Sequence, residues 1–233
     1  MCGRASLTKN ESDLEESFGA SFYTEDIARY IPLPAFNIGP VQKLPFIAQD
    51  DPLHFQIGWW GWNVTIGNNT QLVINARLEE IDKKRTFVPH LNHGRCIIPL
   101  DGYYEWQKCG SQKIPYRITV PDGGLFAVAG LWRGGVRNDG SVSKRIVIIT
   151  RAAQKDIAGI HDRMPLILNK EEWVEWMDAS FTDKMKAIFS DCERMITLVH
   201  YKVSSRVNSI KNNDSSLIEP DDSPIYIQKS LFD

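Results

Sequence analysis

Hydrophobic positions along this chain fall mostly in short runs of strand character, and helical spacing is confined to three stretches. Leu14 and Phe18 stand four apart and predict a helix over residues 10–19. Pro32, Pro34, Pro40 and Pro45 make residues 32–45 extended and irregular, because a residue preceding proline is driven out of the helical region. Strand-like runs follow at 53–60, 95–100, 103–107, 115–120, 125–132 and 144–150, with a further return to strand at 195–203. Residues 63–70, with Gly67-Asn68-Asn69, read as a loop, and 72–76 as a short apolar run entering the charged segment 77–85. Asp122-Gly123-Gly124 is a hairpin signal between two of the strands. Residues 134–143 read as a mobile loop.

Asn169 and Glu172 form a variant capping box and predict a helix through Met177, whose stripe of Trp173, Trp176 and Met177 is core. A last helix is expected over about 182–190, followed by a polar, partly extended tail from 211 to 233. Many strands, few helices and no βαβ alternation predict an α+β fold: one domain over 1–233, with its core in about 1–220 and a mostly antiparallel, curved or barrel-like sheet.

The 233 residues are 42% hydrophobic, enough for a core without disulfide staples. No run of 18 apolar residues is present, and Lys9, Glu11 and Asp13 occupy the stretch where a secretory signal would be apolar. Cys2, Cys96, Cys109 and Cys192 are widely spread, which in a chain of this kind reads as free thiols in a reducing, cytoplasmic compartment. A formal net charge of −2 means that any nucleic-acid contact must come from a local cluster of arginines.

The candidate chemistry begins at the second residue. Removal of Met1 from Met1-Cys2-Gly3-Arg4 would leave Cys2 with a thiol and a free α-amine on one skeleton, a 1,2-aminothiol that no internal cysteine provides. Such a group attacks amide carbonyls or captures aldehydes as a five-membered thiazolidine. A nucleophilic cysteine needs a proton acceptor and an orienting partner. Of the five histidines, His161 stands out in Gly159-Ile160-His161-Asp162-Arg163-Met164-Pro165, whereas His54 and His200 read as ordinary sheet residues. Glu105 lies between Tyr104 and Trp106. Alternation alone turns it to the wet face; desolvation would instead raise its pKa into the acid–base range. Asn75, ending an apolar run, can hold an amine or carbonyl through its amide, and Arg77 and Arg85 can bind phosphate or simply form a solvated charged face. His90 and His93 have metal-like spacing but lack a second ligand pair, so no metal and no cofactor is expected. No phosphate-binding loop or dinucleotide fingerprint is present.

Taken in order, these segments resemble the SOS-response-associated peptidase family, which senses abasic sites in DNA. The resemblance is carried by Met1-Cys2-Gly3-Arg4, Phe36-Asn37-Ile38-Gly39-Pro40, Trp60-Gly61-Trp62, Asn75-Ala76-Arg77-Leu78-Glu79 and the run Arg95 to Trp106. It continues through Ile160-His161-Asp162-Arg163-Met164-Pro165, Val203-Ser204, Val207-Asn208 and Leu217-Ile218-Glu219-Pro220. It implies that Cys2 is the covalent residue, that Asn75 positions its α-amine, and that Glu105 and His161 move protons, with His161 also able to lower the thiol pKa. It implies that Arg4, Arg77, Arg85, Arg163 and Thr150 face DNA, with Pro40 and the segment around Trp60 near displaced bases. It further implies self-cleavage of Met1 and covalent capture of abasic sites in single-stranded DNA, with nucleoid association when bound; the single compact domain suggests a monomer, and the lack of a long apolar run predicts no membrane partner. One departure concerns a Pro-x-Trp that family members usually carry after the Trp-Gly pair: here residues 63–69 contain no Trp, which puts one stacking platform in doubt. The competing readings are an N-terminal-cysteine amidotransferase with glutaminase activity, a cysteine peptidase acting on other proteins, and a non-covalent single-stranded DNA-binding module.

Overall fold

The computed structural model describes residues 2–24, 33–136, 142–178, 182–191 and 195–224. In chain order these form β1 (Ala5–Leu7), α1 (Glu11–Phe18), β2 (Ser21–Phe22), β3 (Ala35–Ile38), β4 (Lys43–Ala48), β5 (Asp51–Trp60), β6 (Trp62–Ile66), β7 (Asn69–Val73) and β8 (Asn75–Arg77). Next come β9 (Arg95–Leu100), β10 (Gly102–Cys109), β11 (Gln112–Thr119), β12 (Phe126–Val136), β13 (Val142–Ala152), α2 (Lys155–Ala158), β14 (Arg163–Pro165) and β15 (Ile167–Leu168). The last elements are α3 (Lys170–Met177), α4 (Asp183–Ser190) and β16 (Val199–Lys202), followed by 3-10 turns at Ser205–Asn208 and Ser215–Ile218. The fold is α+β, mostly antiparallel, as the strand-rich pattern predicts.

A barrel forms the centre. β13, β12, β9, β4 and β5 pair in that order, and β5 returns to β13 in parallel through Trp59↔Arg145 and Trp60↔Ile146, which closes the ring. Closure brings β5 and β4 side chains hard against β13: a Cβ added to Gly58 would lie 2.9 Å from both Ile146 and Phe46. β8 continues along the same edge of β13, with Asn75 opposite Ile148. The hairpin β6–β7 loops out between β5 and β8. A second sheet, ordered β16-β11-β10-β1-β3, is wholly antiparallel, and its inner faces join the barrel in one buried core that includes Cys2, Leu7, Trp60, Trp62 and Trp176.

Several sequence expectations are corrected. Residues 63–70 are no loop but most of a hairpin, β6–β7, turned at Gly67, whose φ of 60° lies in the left-handed region that glycine enters without steric cost. The turn at Asp122-Gly123-Gly124 does not make a hairpin, because β11 belongs to the second sheet and β12 to the barrel. Within 32–45, strands β3 and the start of β4 are regular, and Pro45 sits inside β4. The strand expected at 195–203 is confined to Val199–Lys202. β12 and β13 extend into the expected loop 134–143, the centre of which (137–141) lies outside the described residues, as do Met1, Pro32, Cys192 and the end of the tail at 225–233.

The helices are short, and α1, α3 and α4 are capped at their N-termini by a side chain. Asn10 and Asn169 each accept from the backbone three residues on and receive a carboxylate in return, which satisfies two otherwise orphaned donors per helix. α3 drives Trp176 fully into the core, where its indole N–H donates to the Cys96 carbonyl at 2.9 Å.

Candidate functional site

The site lies where the N-terminus passes between the two sheets. β1 is locked in the second sheet, with Ala5 opposite Tyr103 on β10 and the Tyr104 N–H donating to the Arg4 carbonyl at 2.9 Å. This anchoring carries Cys2 inward until it is fully buried. From the barrel side, the Asn75 Nδ2 donates to the Cys2 carbonyl at 2.8 Å, so β8 and the N-terminus are stitched together. The other atom of that amide, Asn75 Oδ1, is buried and has no hydrogen-bond partner among the described residues.

Glu105 follows Tyr103 by two positions on β10, so both side chains leave the same face of the strand. The side chain of Glu105 is 2% exposed. The alternation reading fails here because residues 102–105 are buried without interruption: β10 is covered on one face by the core and on the other by the cluster of Val203, Val207 and Leu217. Burial raises the Glu105 carboxyl from its ordinary 4.5 to about 7, so both protonation states are populated near neutrality. Burial pushes the Cys2 thiol well above its ordinary value, and the neighbouring Glu105 charge pushes it further. The thiol is therefore held protonated near neutral pH in this buried position.

His161 projects from the turn between α2 and β14, its backbone N–H donating to the Ile157 carbonyl. The Arg163 backbone N–H donates to His161 Nδ1 at 3.0 Å, which places the proton of the neutral ring on Nε2. Nε2 lies 4.0 Å from Glu105 Oε2, beyond direct hydrogen-bonding distance. Burial lowers the imidazole pKa, so the ring is neutral at pH 7. The Asp162 carboxylate, 2.9 Å from Nδ1, attracts a second proton when the ring takes one up. A cavity of about 550 Å³, lined by Glu105, Trp106, Lys108, Lys113, His161 and Asn208, opens onto these groups.

The expected DNA-facing residues divide. Arg77 and Arg85 are exposed, Arg77 making a 3.8 Å contact with Glu80. Arg163 forms a bidentate pair with Glu79 at 2.7 and 2.9 Å and donates to the carbonyl of buried Thr150. Arg4 is drawn inward, donating to Asn37 Oδ1 at 2.8 Å and to the Val207 carbonyl, with its guanidinium 5.9 Å from the Trp106 ring centre. Trp60 is fully buried and donates to the Ile74 carbonyl, while Pro40 is half-buried. Trp106, Lys108, Lys113 and Asn208 carry no role in the sequence reading. The Trp106 N–H donates to Asn208 Oδ1 at 2.8 Å, and only the recurrence of both residues in the quoted motifs hinted at the pairing.

The geometry defines a class: an α+β protein with a buried N-terminal-segment cysteine beside a carboxylate of raised pKa, a neutral histidine and an amide. The profile of the SOS response associated peptidase (SRAP) family matches residues 1–210, and the chain belongs to that family. It is 34% identical over 231 residues to the abasic site processing protein YoqW of Bacillus subtilis, covering 94% of this chain and 99% of that one. It is 31% identical to the abasic site processing protein YedK of Escherichia coli, over 94% of this chain and all of the other. A crystal structure of a Bacteroides thetaiotaomicron protein superposes with a TM-score of 0.81 at 23% identity, over 94% of this chain and 100% of that one, which bears out the fold.

Proposed function

We propose that this protein captures abasic sites in single-stranded DNA covalently, through a thiazolidine formed by Cys2 after self-cleavage of Met1. The observation that carries the reading is the burial of Cys2 against Asn75, with Glu105 and His161 beside it and a cavity leading in. The names of the relatives, abasic site processing proteins, support the substrate.

The chemistry follows from the protonation states. With Met1 hydrolysed away, the new α-ammonium of Cys2 finds an acceptor in the unpartnered Asn75 Oδ1, the amide already holding the Cys2 carbonyl through Nδ2. The ring-opened abasic sugar presents an aldehyde. Glu105, with a pKa near 7, takes the anomeric hydroxyl proton and delivers it to the ring oxygen as that C–O bond breaks, which opens the sugar to the aldehyde. The Cys2 ammonium loses a proton to solvent, the resulting α-amine adds to the aldehyde carbon, and the carbinolamine loses water, its hydroxyl leaving with the proton that Glu105 relays from nitrogen, to give an imine. The Cys2 S–H then adds across that C=N bond: sulfur bonds to carbon, and its proton passes by way of His161 to the imine nitrogen. The protonated thiol makes this order natural, with the amine attacking first. Both nucleophiles sit on one residue, so ring closure avoids a bimolecular entropy cost. In Met1 removal, Glu105 serves as base for the buried thiol.

Denaturing electrophoresis tests the reading. Met1-free protein mixed with an oligonucleotide carrying one abasic site should give a retarded band that needs both the lesion and Cys2. Cys2→Ala giving the same band would overturn it. Intact mass of freshly translated protein should show loss of Met1, and Glu105→Gln should retain it. If glutaminase activity appears instead of an adduct, the amidotransferase reading replaces this one.

A further inference from the structure

Lys108 and Lys113 face each other directly across β10 and β11, in register near the end of the hairpin. Both are exposed, both line the cavity that opens onto Glu105 and His161, and among the described residues neither forms an ion pair. Two like charges directly opposite on a sheet repel and destabilise it. The repulsion is relieved when an anion sits between the two ammonium groups.

Position narrows the anion. The lysines are on the second sheet, whereas exposed Arg77 ends β8 on the barrel side, two residues after Asn75, with exposed Arg85 eight residues further on, so positive charge comes from both sheets. The other arginines near the site are already engaged: Arg163 is neutralised by Glu79, and Arg4 is tied to Asn37 and the Val207 carbonyl. Trp106 lies on the same face of β10 as Lys108, next to the pair, and its indole N–H is fixed by Asn208.

We infer that Lys108 and Lys113 form a phosphate-binding clamp for the backbone of the DNA strand immediately beside the captured nucleotide. The inference rests on the abasic-site reading and adds a subsite to it. Cross-strand Cβ atoms about 4.5–5.5 Å apart let both ammonium groups converge on one phosphate. The clamp holds one flank of the strand while Arg77 and Arg85 hold the other, and the abasic sugar is presented to Cys2 between them.

The test compares the wild type with the double variant Lys108→Gln/Lys113→Gln. Adduct formation with an abasic oligonucleotide is followed over a range of protein concentrations and salt. The expected result is a half-saturating concentration raised roughly tenfold, an unchanged adduct rate at saturation, and a log–log salt slope reduced by about 0.7 for one phosphate contact on a single strand. A methylphosphonate, neutral at one linkage at a time, is then walked along both flanks. One linkage next to the lesion should weaken the wild type and leave the double variant indifferent. Equal half-saturation and equal salt slope in the two proteins would overturn the clamp, as would a walk that the two proteins read alike. If the wild type forms no adduct at any concentration, the capture reading fails instead. The clamp is then read by fluorescence anisotropy on an undamaged oligonucleotide, where the same salt-slope difference supports it and its absence overturns it.

Discussion

Glu105 concentrates the tension between stability and chemistry. Its carboxyl titrates near 7 in the folded protein, against an ordinary value of 4.5, so the folded state binds its proton more tightly than the unfolded chain does. The contribution of Glu105 to stability is therefore fully present below about pH 4.5 and is lost as pH rises toward 7, an effect of this one group on the order of 2–3 kcal/mol. Glu105→Gln should raise the chemical-denaturation midpoint at pH 8, leave it unchanged at pH 4, and slow adduct formation by about 10²-fold. An equal shift at both pH values would show that the carboxyl charge is not the cause. Asn75→Ala removes both the bond to the Cys2 carbonyl and the buried acceptor. It should lower the adduct rate while Cys2 still reacts with a small aldehyde. Cys2, Asn75, Glu105 and His161 were all legible in the sequence as motif residues. The burial of Glu105 was not, because alternation assumes one wet face and β10 has none at that point. The engagement of Arg4 was also hidden, since its partners Asn37 and Val207 are 33 and 203 residues away.

At the scale of elements, local chemistry was read well where it is local. The strand at Arg95–Leu100 and the Asn169 cap match their expected positions. Asn169→Ala should cost about 1 kcal/mol of stability, measured by denaturant unfolding, because it leaves the Glu172 N–H without its side-chain acceptor. No loss would mean that packing of Trp176 alone holds α3. Turn signals told where the chain reverses but not what it pairs with afterwards. Gly67 marked a hairpin that was taken for a loop because its strands expose Asn63, Thr65, Thr70 and Gln71 rather than alternating apolar residues. Asp122-Gly123-Gly124 joins strands of different sheets, a choice that turn chemistry does not encode. The hairpin β6–β7 also stands where the expected Pro-x-Trp is missing; just before it on β5, Trp59 is half-buried with the Lys43 ammonium 5.4 Å from its ring centre.

For the whole molecule, the decisive contact is the parallel pairing of β5 with β13, which closes the barrel and lets β8 follow along the same edge to deliver Asn75. Such pairing between residues 59 and 145 leaves no trace in a window of sequence. Gly58→Ala, which would press a methyl onto Ile146 and Phe46 at 2.9 Å, should destabilise the protein by about 1–3 kcal/mol and depress adduct formation in parallel. The two sheets thus bury Cys2 and hold its carbonyl against Asn75, the placement that the proposed capture chemistry needs. The most direct measurement is the intact mass of the product formed between Met1-free protein and an oligonucleotide bearing one abasic site. The account requires the sum of the two masses less one water, formed without any reductant and absent with Cys2→Ala. A product that survives only after borohydride reduction, or that persists without Cys2, would contradict it.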